Sequence, residues 1–129
     1  MRQKHEYELR DILVDNGFFV VRSAGSTDCD LIAIKNNKQF IFEIKSKNKK
    51  TIYLNRHLDQ LKDYYKIMKQ YKIPVIYAQR YVTRKNVDYK WALWDLRDKL
   101  PTTKNGNPKL ELNNGLTIKE WMEREFNVV

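Results

Sequence analysis

The sequence has 129 residues, a length that predicts a single domain, 1–129, with one core. Hydrophobic residues make up 42% of the chain, which is enough for a compact fold. There is no apolar run of the ~18 residues that a transmembrane helix needs, and the first residues lack the apolar core of a signal peptide. A single cysteine, Cys29, excludes an internal disulfide. We therefore expect a cytoplasmic protein without a membrane partner.

The chain is strongly basic, with a formal net charge of +9 and a pI near 9.6. In a small domain this charge predicts a polyanionic partner, and a well-solvated basic surface is the alternative. The distribution favours the partner, because residues 45–56 contain five basic residues and no acidic one. The five are Lys45, Lys47, Lys49, Lys50 and Arg56.

The chain begins with a predicted helix, followed by a strand. Residues 3–15 carry an apolar stripe at helical spacing and end at Asn16-Gly17, which is typical of a helix C-terminus. Residues 18–21 predict a strand, and residues 22–27 predict a loop of small residues.

A hairpin of two strands follows, because two apolar runs are separated by the polar turn Asn36-Asn37. Asp30 lies at the start of the first strand, and Glu43 and Lys45 lie at the end of the second. All three therefore lie at one end of the hairpin. Glu43 and Lys45 are two residues apart and project from the same face. Two carboxylates beside an ammonium suit a hard divalent cation, Mg²⁺ or Mn²⁺, next to a group that handles a proton.

The second half predicts two more helices and two more strands. A helix is expected from about 56 to 71, with Asn55 as its N-cap. Its buried stripe is expected to contain Leu58, Leu61, Tyr65 and Met68. The remaining elements are strands at 75–82 and 90–94, a loop at 101–114, and a helix at 116–126 opened by a Thr117/Glu120 capping box.

The pattern Asp30 followed by Glu43-Ile44-Lys45 resembles the PD-(D/E)xK nuclease superfamily, with Cys29 where the nominal motif has proline. The order of elements implies that superfamily's restriction-endonuclease-like α/β fold, a central mixed five-stranded sheet flanked by helices. Three segments are similar to archaeal Holliday-junction resolvases of the Hjc type, including those of archaeal viruses. They are HEYELRDILVDNGFFVVRSAGSTDCDLIA, FEIKSKNKKTIYL, and IPVIYAQRY followed by WALWDL. The similarity extends over 6–96, and the tail beyond Leu100 is only loosely similar.

The resemblance implies roles for the residues that match the family. Asp30 and Glu43 correspond to metal ligands, with the Ile44 backbone carbonyl as a further ligand and Mg²⁺ as the cofactor. Lys45 corresponds to a lysine that orients or activates the attacking water. Glu6 corresponds to a helical carboxylate that helps to position the metal and water.

Further matches concern the loops and the DNA. Ser26 corresponds to a loop serine implicated in catalysis, and Gln60 to a glutamine that often supports the site in the superfamily. The candidate DNA-binding residues are Arg22, Lys47, Lys49, Lys50, Arg56 and Gln60.

The sequence therefore predicts a structure-selective endonuclease that resolves four-way DNA junctions by Mg²⁺-dependent hydrolysis. A nuclease of the same superfamily for single strands, flaps or a specific duplex site is one alternative, and a non-catalytic basic DNA-binding module is another. Two nicks on opposed strands require two sites, which a C₂ homodimer supplies, and the family resemblance also implies a homodimer. The candidate interface, unless these residues close the protomer's own core, is Trp91, Leu93, Trp94 and Leu96.

Overall fold

The structure is a computed structural model that describes residues 2–23, 30–82 and 90–126. Its helices are α1 (Arg2–Asp15), α2 (Leu58–Tyr71) and α3 (Ile118–Phe126), with a 3₁₀ turn at Leu112–Asn114. Its strands are β1 (Phe19–Arg22), β2 (Leu31–Lys35), β3 (Lys38–Lys47), β4 (Thr51–Tyr53), β5 (Val75–Tyr81), β6 (Lys90–Asp95) and β7 (Lys109–Glu111). None of the described helices is long and apolar enough to cross a membrane.

Five strands form one mixed sheet in the order β1-β2-β3-β5-β6. All neighbours are antiparallel except β3 and β5, which are parallel and are connected through α2. A parallel pair needs such a crossover connection, because its strands start at the same edge of the sheet. The predicted mixed five-stranded sheet flanked by helices is confirmed.

Both faces of the sheet are covered over its central strands, so the middle of β3 and nearly all of β5 are buried on two sides. On one face α1 and α3 pack through Leu9, Leu13 and Trp121. On the other face α2 and a two-stranded ribbon of β4 and β7 cover a second apolar cluster. Phe40 and Phe42 of β3 belong to the first cluster, and Ile41 belongs to the second. Because side chains alternate along a strand, Glu43 and Lys45 face α2.

The turn between β2 and β3 sets their register. Asn36 and Asn37 have φ values of 51° and 64°, the left-handed pair that a two-residue type I′ hairpin turn requires. The ladder then pairs Leu31 with Phe42. Continuing it by one step places Asp30 opposite Glu43.

Two predictions about local structure are wrong. The segment 101–114 is not only a loop, because its buried Leu110 lets β7 pair with β4. Asn55 does not cap α2, which begins at Leu58 after His57, a residue that makes no capping side-chain hydrogen bond. The predicted Thr117/Glu120 capping box is confirmed, with Glu120 N–H donating to Thr117 Oγ1 at 3.0 Å.

The predicted buried stripe of α2 is also wrong in part. Leu61 and Tyr64 are the buried residues of the helix, whereas Leu58 and Tyr65 are 36% and 42% exposed. Tyr64 keeps the helical spacing from Leu61 to Met68 as Tyr65 would, and its hydroxyl reaches a polar group on β3 that is described below.

The predicted dimer interface is wrong, because its four residues, three on β6 and Leu96 just after it, close the protomer's own core. All four are no more than 8% exposed. Trp91 and Leu93 fill the cluster under α1 and α3, and Trp94 and Leu96 fill the cluster under α2. A sheet with two covered faces needs large apolar side chains on both, which explains their number.

Candidate active site

Asp30, Glu43 and Lys45, here called the Asp–Glu–Lys cluster, meet at one end of the central sheet. The carboxyl groups are buried, with Asp30 6% and Glu43 2% exposed. Asp30 Oδ2 accepts a hydrogen bond from the Ile44 N–H at 2.7 Å, which fixes it against β3. Lys45 Nζ lies 3.7 Å from Glu43 Oε2. The structure thus brings together the three side chains that the hairpin pattern places at one end.

Two residues of α2 hold the Glu43 carboxylate in place. Tyr64 Oη–H donates to Glu43 Oε1 at 2.7 Å, and Gln60 Nε2 donates to Oε2 at 3.3 Å. Gln60 and Tyr64 are four residues apart and therefore lie on the same side of the helix. Sequence reasoning found Gln60 and missed Tyr64. The spacing of four from Gln60 is the signal that distinguishes Tyr64 from its neighbour Tyr65.

Gln60 also links the carboxylate to the ammonium. Its Oε1 accepts from Lys45 Nζ at 2.8 Å and from Tyr77 Oη–H at 3.3 Å. Burial raises the pKa of Tyr77 strongly, and the nearby Glu43 charge adds to this, so the phenol remains a donor at neutral pH. Two donors to Oε1 leave the Gln60 amide nitrogen to face Glu43. Lys45 and Glu43 are thereby fixed relative to each other.

Glu6 lies on α1 and therefore reaches this end of the sheet from the face opposite to the one that carries Glu43 and Lys45. Arg22 at the end of β1 donates to Glu6 Oε2 at 3.1 Å, and its guanidinium lies 4.2 Å from the centre of the Tyr7 ring. Arg22 was predicted to contact DNA, and the structure places it on Glu6 with a side chain 25% exposed. Ser26 lies outside the described residues.

A second carboxylate of α1, Glu8, anchors the helix to the sheet. Arg80, itself 1% exposed, donates to both Glu8 oxygens at 2.9 Å, and Trp91 Nε1 donates to Oε1 at 2.6 Å. Burial acts to raise the pKa of Glu8, but the hydrogen bonds from Arg80 and Trp91 outweigh it and the pKa is lowered. Glu8 is therefore ionised and structural, and it fixes the position from which Glu6 approaches.

The predicted DNA-binding lysines lie where β3 leaves the cluster. Lys47, Lys49 and Lys50, here called the lysine loop, are exposed, as is Arg56. The backbone of the loop is held, because the Lys50 carbonyl accepts hydrogen bonds from Gln79 Nε2 and from the Leu112 N–H, both at 2.9 Å. A fixed backbone with exposed ammonium groups is suited to contacts with phosphates.

The residues of the cluster fit Mg²⁺ as the metal. Magnesium is commonly bound through one or two carboxylates and retains several waters, which suits Asp30 and Glu43. Within 2–23, 30–82 and 90–126, no three His, Cys, Asp or Glu side chains are grouped to hold a metal. The described residues thus offer two carboxylate ligands at the cluster, a set closer to magnesium sites than to the three or four protein ligands of zinc sites.

Comparison with known proteins decides the family. The family model described as archaeal Holliday junction resolvase (Hjc) matches residues 2–128. The chain belongs to the Hjc family. A segment of 51 residues is 45% identical to the crossover junction endodeoxyribonuclease Hjc of Methanocaldococcus jannaschii, covering 40% of this chain and 38% of that protein.

The Hjc fold is also recognised in three dimensions. The structure matches that of Hjc from Archaeoglobus fulgidus, a Holliday junction resolvase from an archaeal hyperthermophile, with a TM-score of 0.73. The match covers 92% of this chain and 93% of that one at 20% sequence identity. The predicted restriction-endonuclease-like fold is therefore confirmed.

Proposed function

We propose that this protein is a metal-dependent endodeoxyribonuclease that resolves four-way DNA junctions, as a single nuclease domain acting on DNA inside the cell. The observation that carries the proposal is the Asp–Glu–Lys cluster at the end of the sheet, beside an exposed lysine loop, in a chain of the Hjc family. Buried carboxylates next to a fixed ammonium are suited to phosphodiester hydrolysis, and the exposed cations to holding the phosphate backbone.

Each residue of the cluster has a defined part in the reaction. Asp30 and Glu43 would hold Mg²⁺, or Mn²⁺ as a substitute, with the Ile44 carbonyl as a further ligand. Such an ion supplies charge neutralisation at the phosphate and the leaving oxygen. Lys45 orients the attacking water or takes part in its proton transfer, and Gln60 keeps the Lys45 ammonium beside Glu43. Glu6 and Ser26 assist in positioning metal and water.

The same proposal includes a homodimer, because the described residues of one chain form one Asp–Glu–Lys cluster and junction resolution needs two nicks. The surface for the second copy is the outer part of the sheet on β1. Phe19 and Val21 are 66% and 43% exposed and project from the same face, next to their cross-strand partners Ile34 and Ile32. Contiguous exposed apolar groups of this kind mark protein contacts.

The test is cleavage of a synthetic four-way junction with and without Mg²⁺, beside a linear duplex, a flap and a single strand of the same sequence. We expect paired nicks on opposed strands of the junction only, and a dimer in sedimentation. Cutting of flaps or linear DNA instead would indicate another nuclease of the superfamily. Junction binding without any cleavage would indicate a DNA-binding module.

A Phe19→Ser/Val21→Ser variant tests the dimer surface separately. We expect it to sediment as a monomer and to lose paired cutting while its fold is retained, because both side chains are exposed in the protomer. Persistence of the dimer in this variant would place the interface elsewhere.

A further inference from the structure

A groove runs beside the Asp–Glu–Lys cluster to the part of the chain that follows β6. Its volume is about 890 Å³. It is lined by Lys45 and Lys47 of β3 and by Asn105 and Asn107, which precede β7. We call it the amide groove, since Asn55 contributes a third side-chain amide. The tail beyond Leu100, only loosely similar to the family in sequence, thus forms a wall next to the cluster.

The lining of the amide groove suits a phosphodiester backbone. Lys45, Lys47 and Arg56 are cationic, and no aspartate or glutamate lines the groove among the described residues. Burial lowers the pKa of His57, and the charge of Lys45 lowers it further, so His57 lines the groove as a neutral group at pH 7. Lysines, arginine, amides and hydroxyls are the side chains that contact phosphate and sugar.

The amide groove also contains an exposed aromatic ring. Tyr53 of β4 lines it and is 55% exposed, whereas Ile52 beside it is buried in the core. Pairing with β7, where Tyr53 lies opposite Lys109, holds the strand that carries it. An exposed aromatic ring in a cationic groove is the arrangement that stacks on the bases of single strands.

We propose that Tyr53 is a stacking platform for one DNA base that has left the duplex stack next to the cut phosphate, and that the amide groove holds the strand carrying this base. The proposal rests on the proposed function. A ring can stack only on a base whose face is uncovered. Continuous duplex covers both faces of every base, whereas at the crossover of an open four-way junction the arms are not stacked on one another. Tyr53 would thus contribute to the choice of junction over duplex.

The direct test is photocrosslinking to 5-iodouracil, which attaches to an aromatic ring stacked on it. Junctions carrying 5-iodouracil at each position flanking the crossover are bound without divalent ions, irradiated, and mapped by peptide mass spectrometry. We expect an adduct on Tyr53 at one or two of these positions, with the yield retained in Tyr53→Phe and lost in Tyr53→Leu. Adducts on other aromatic residues with none on Tyr53 would overturn the proposal.

Affinity provides a second readout. Tyr53→Ala should weaken junction binding about tenfold, since stacking contributes about 1–3 kcal/mol per base by alanine substitution. The slope of log K against log salt should stay unchanged, because no phosphate contact is lost, while Lys47→Ala should lower it. Binding to linear duplex should not change in Tyr53→Ala.

The matched control is Tyr71→Ala, which removes a ring that is 61% exposed at the far end of α2 and does not line the amide groove. It should bind junctions as the wild type does. If the wild type neither binds nor cuts junctions, the proposed function fails. If the wild type does both and Tyr53→Ala equals it in affinity and adduct pattern, only the stacking proposal fails.

Discussion

Replacing Tyr64 by phenylalanine tests whether the hydrogen bond from α2 orients the Glu43 carboxylate for metal binding. The change removes one hydroxyl, and with it the 2.7 Å hydrogen bond to Glu43 Oε1. The ring itself stays, including its edge contact with Tyr77 at 6.0 Å between centroids, so no cavity is created. The effect therefore reports on the hydrogen bond to the carboxylate.

The magnitude follows from the burial of the acceptor. Glu43 is 2% exposed and ionised groups in hydrogen bonds contribute about 1.5–3 kcal/mol, so we expect a loss of that size in the free energy of unfolding. Groups that orient a metal-binding side chain typically affect metal affinity or activity by about 10–100-fold. The Mg²⁺ concentration for half-maximal cleavage should rise by a factor in that range, while junction affinity without metal stays the same.

The assay is a Mg²⁺ titration of junction cleavage, together with urea unfolding. Tyr65→Phe is the matched control, because it removes the same atom from the next residue, which is 42% exposed and makes no described hydrogen bond to Glu43. The Mg²⁺ titration and the urea unfolding curve of Tyr65→Phe should both match those of the wild type. Identical titrations for Tyr64→Phe and Tyr65→Phe would refute the reasoning.

Three further outcomes are expected. Alanine at any member of the Asp–Glu–Lys cluster should abolish cutting while junction binding survives, because affinity comes mainly from cation–phosphate contacts; full activity of Glu43→Ala in the cleavage assay would contradict the site. Neutralising the whole lysine loop should lower the salt slope of binding by roughly one per lost phosphate contact, and an unchanged slope would place the DNA surface elsewhere. Asp95→Asn should destabilise the fold by about 1.5–3 kcal/mol at pH 7, because Asp95 is buried and accepts hydrogen bonds from Arg97. Burial acts to raise the pKa of the Asp95 carboxyl, but the hydrogen bonds and charge of Arg97 outweigh burial and lower this pKa below its ordinary value of 3.8. The stability difference between wild type and Asp95→Asn in urea should therefore be present above pH 3.8 and disappear as the pH falls through the folded-state pKa. A stability difference that stays constant down to pH 2 would contradict this expectation.

The hairpin could be predicted from sequence because its determinants are local. Asn36-Asn37 supplies a turn with positive φ at both positions, and strand alternation then places Glu43 and Lys45 on one face. The same holds for the capping box at Thr117, which involves residues only three apart.

The features that were missed depend on distant parts of the chain. Tyr64 and Tyr65 fit the apolar stripe of α2 equally well, and it is Tyr64 whose hydroxyl meets the buried carboxylate of Glu43 on the distant strand β3. The three-residue strand β7 has too little sequence to be recognised until β4 provides its partner. Trp91 and Trp94 of β6 were predicted at a dimer interface because one small core does not need so many large apolar residues. The sheet instead has a core on each face, which only its three-dimensional topology reveals.

The number of residues in the β2–β3 turn determines whether the active-site residues are aligned, although the turn lies at the opposite end of the hairpin from the Asp–Glu–Lys cluster. Side chains alternate between the faces of a strand, so one residue added to the turn would shift the pairing and move Asp30 out of step with Glu43. Deletions or insertions at Asn36-Asn37 should therefore inactivate the protein even where it folds. The segment 102–107, which lies between β6 and β7, contributes to the amide groove and not to the Asp–Glu–Lys cluster, so a change in its length would reshape the groove and leave that alignment intact. Homologous chains should accordingly keep a constant spacing between the aspartate and the Glu-x-Lys strand, and place their length variation in this segment.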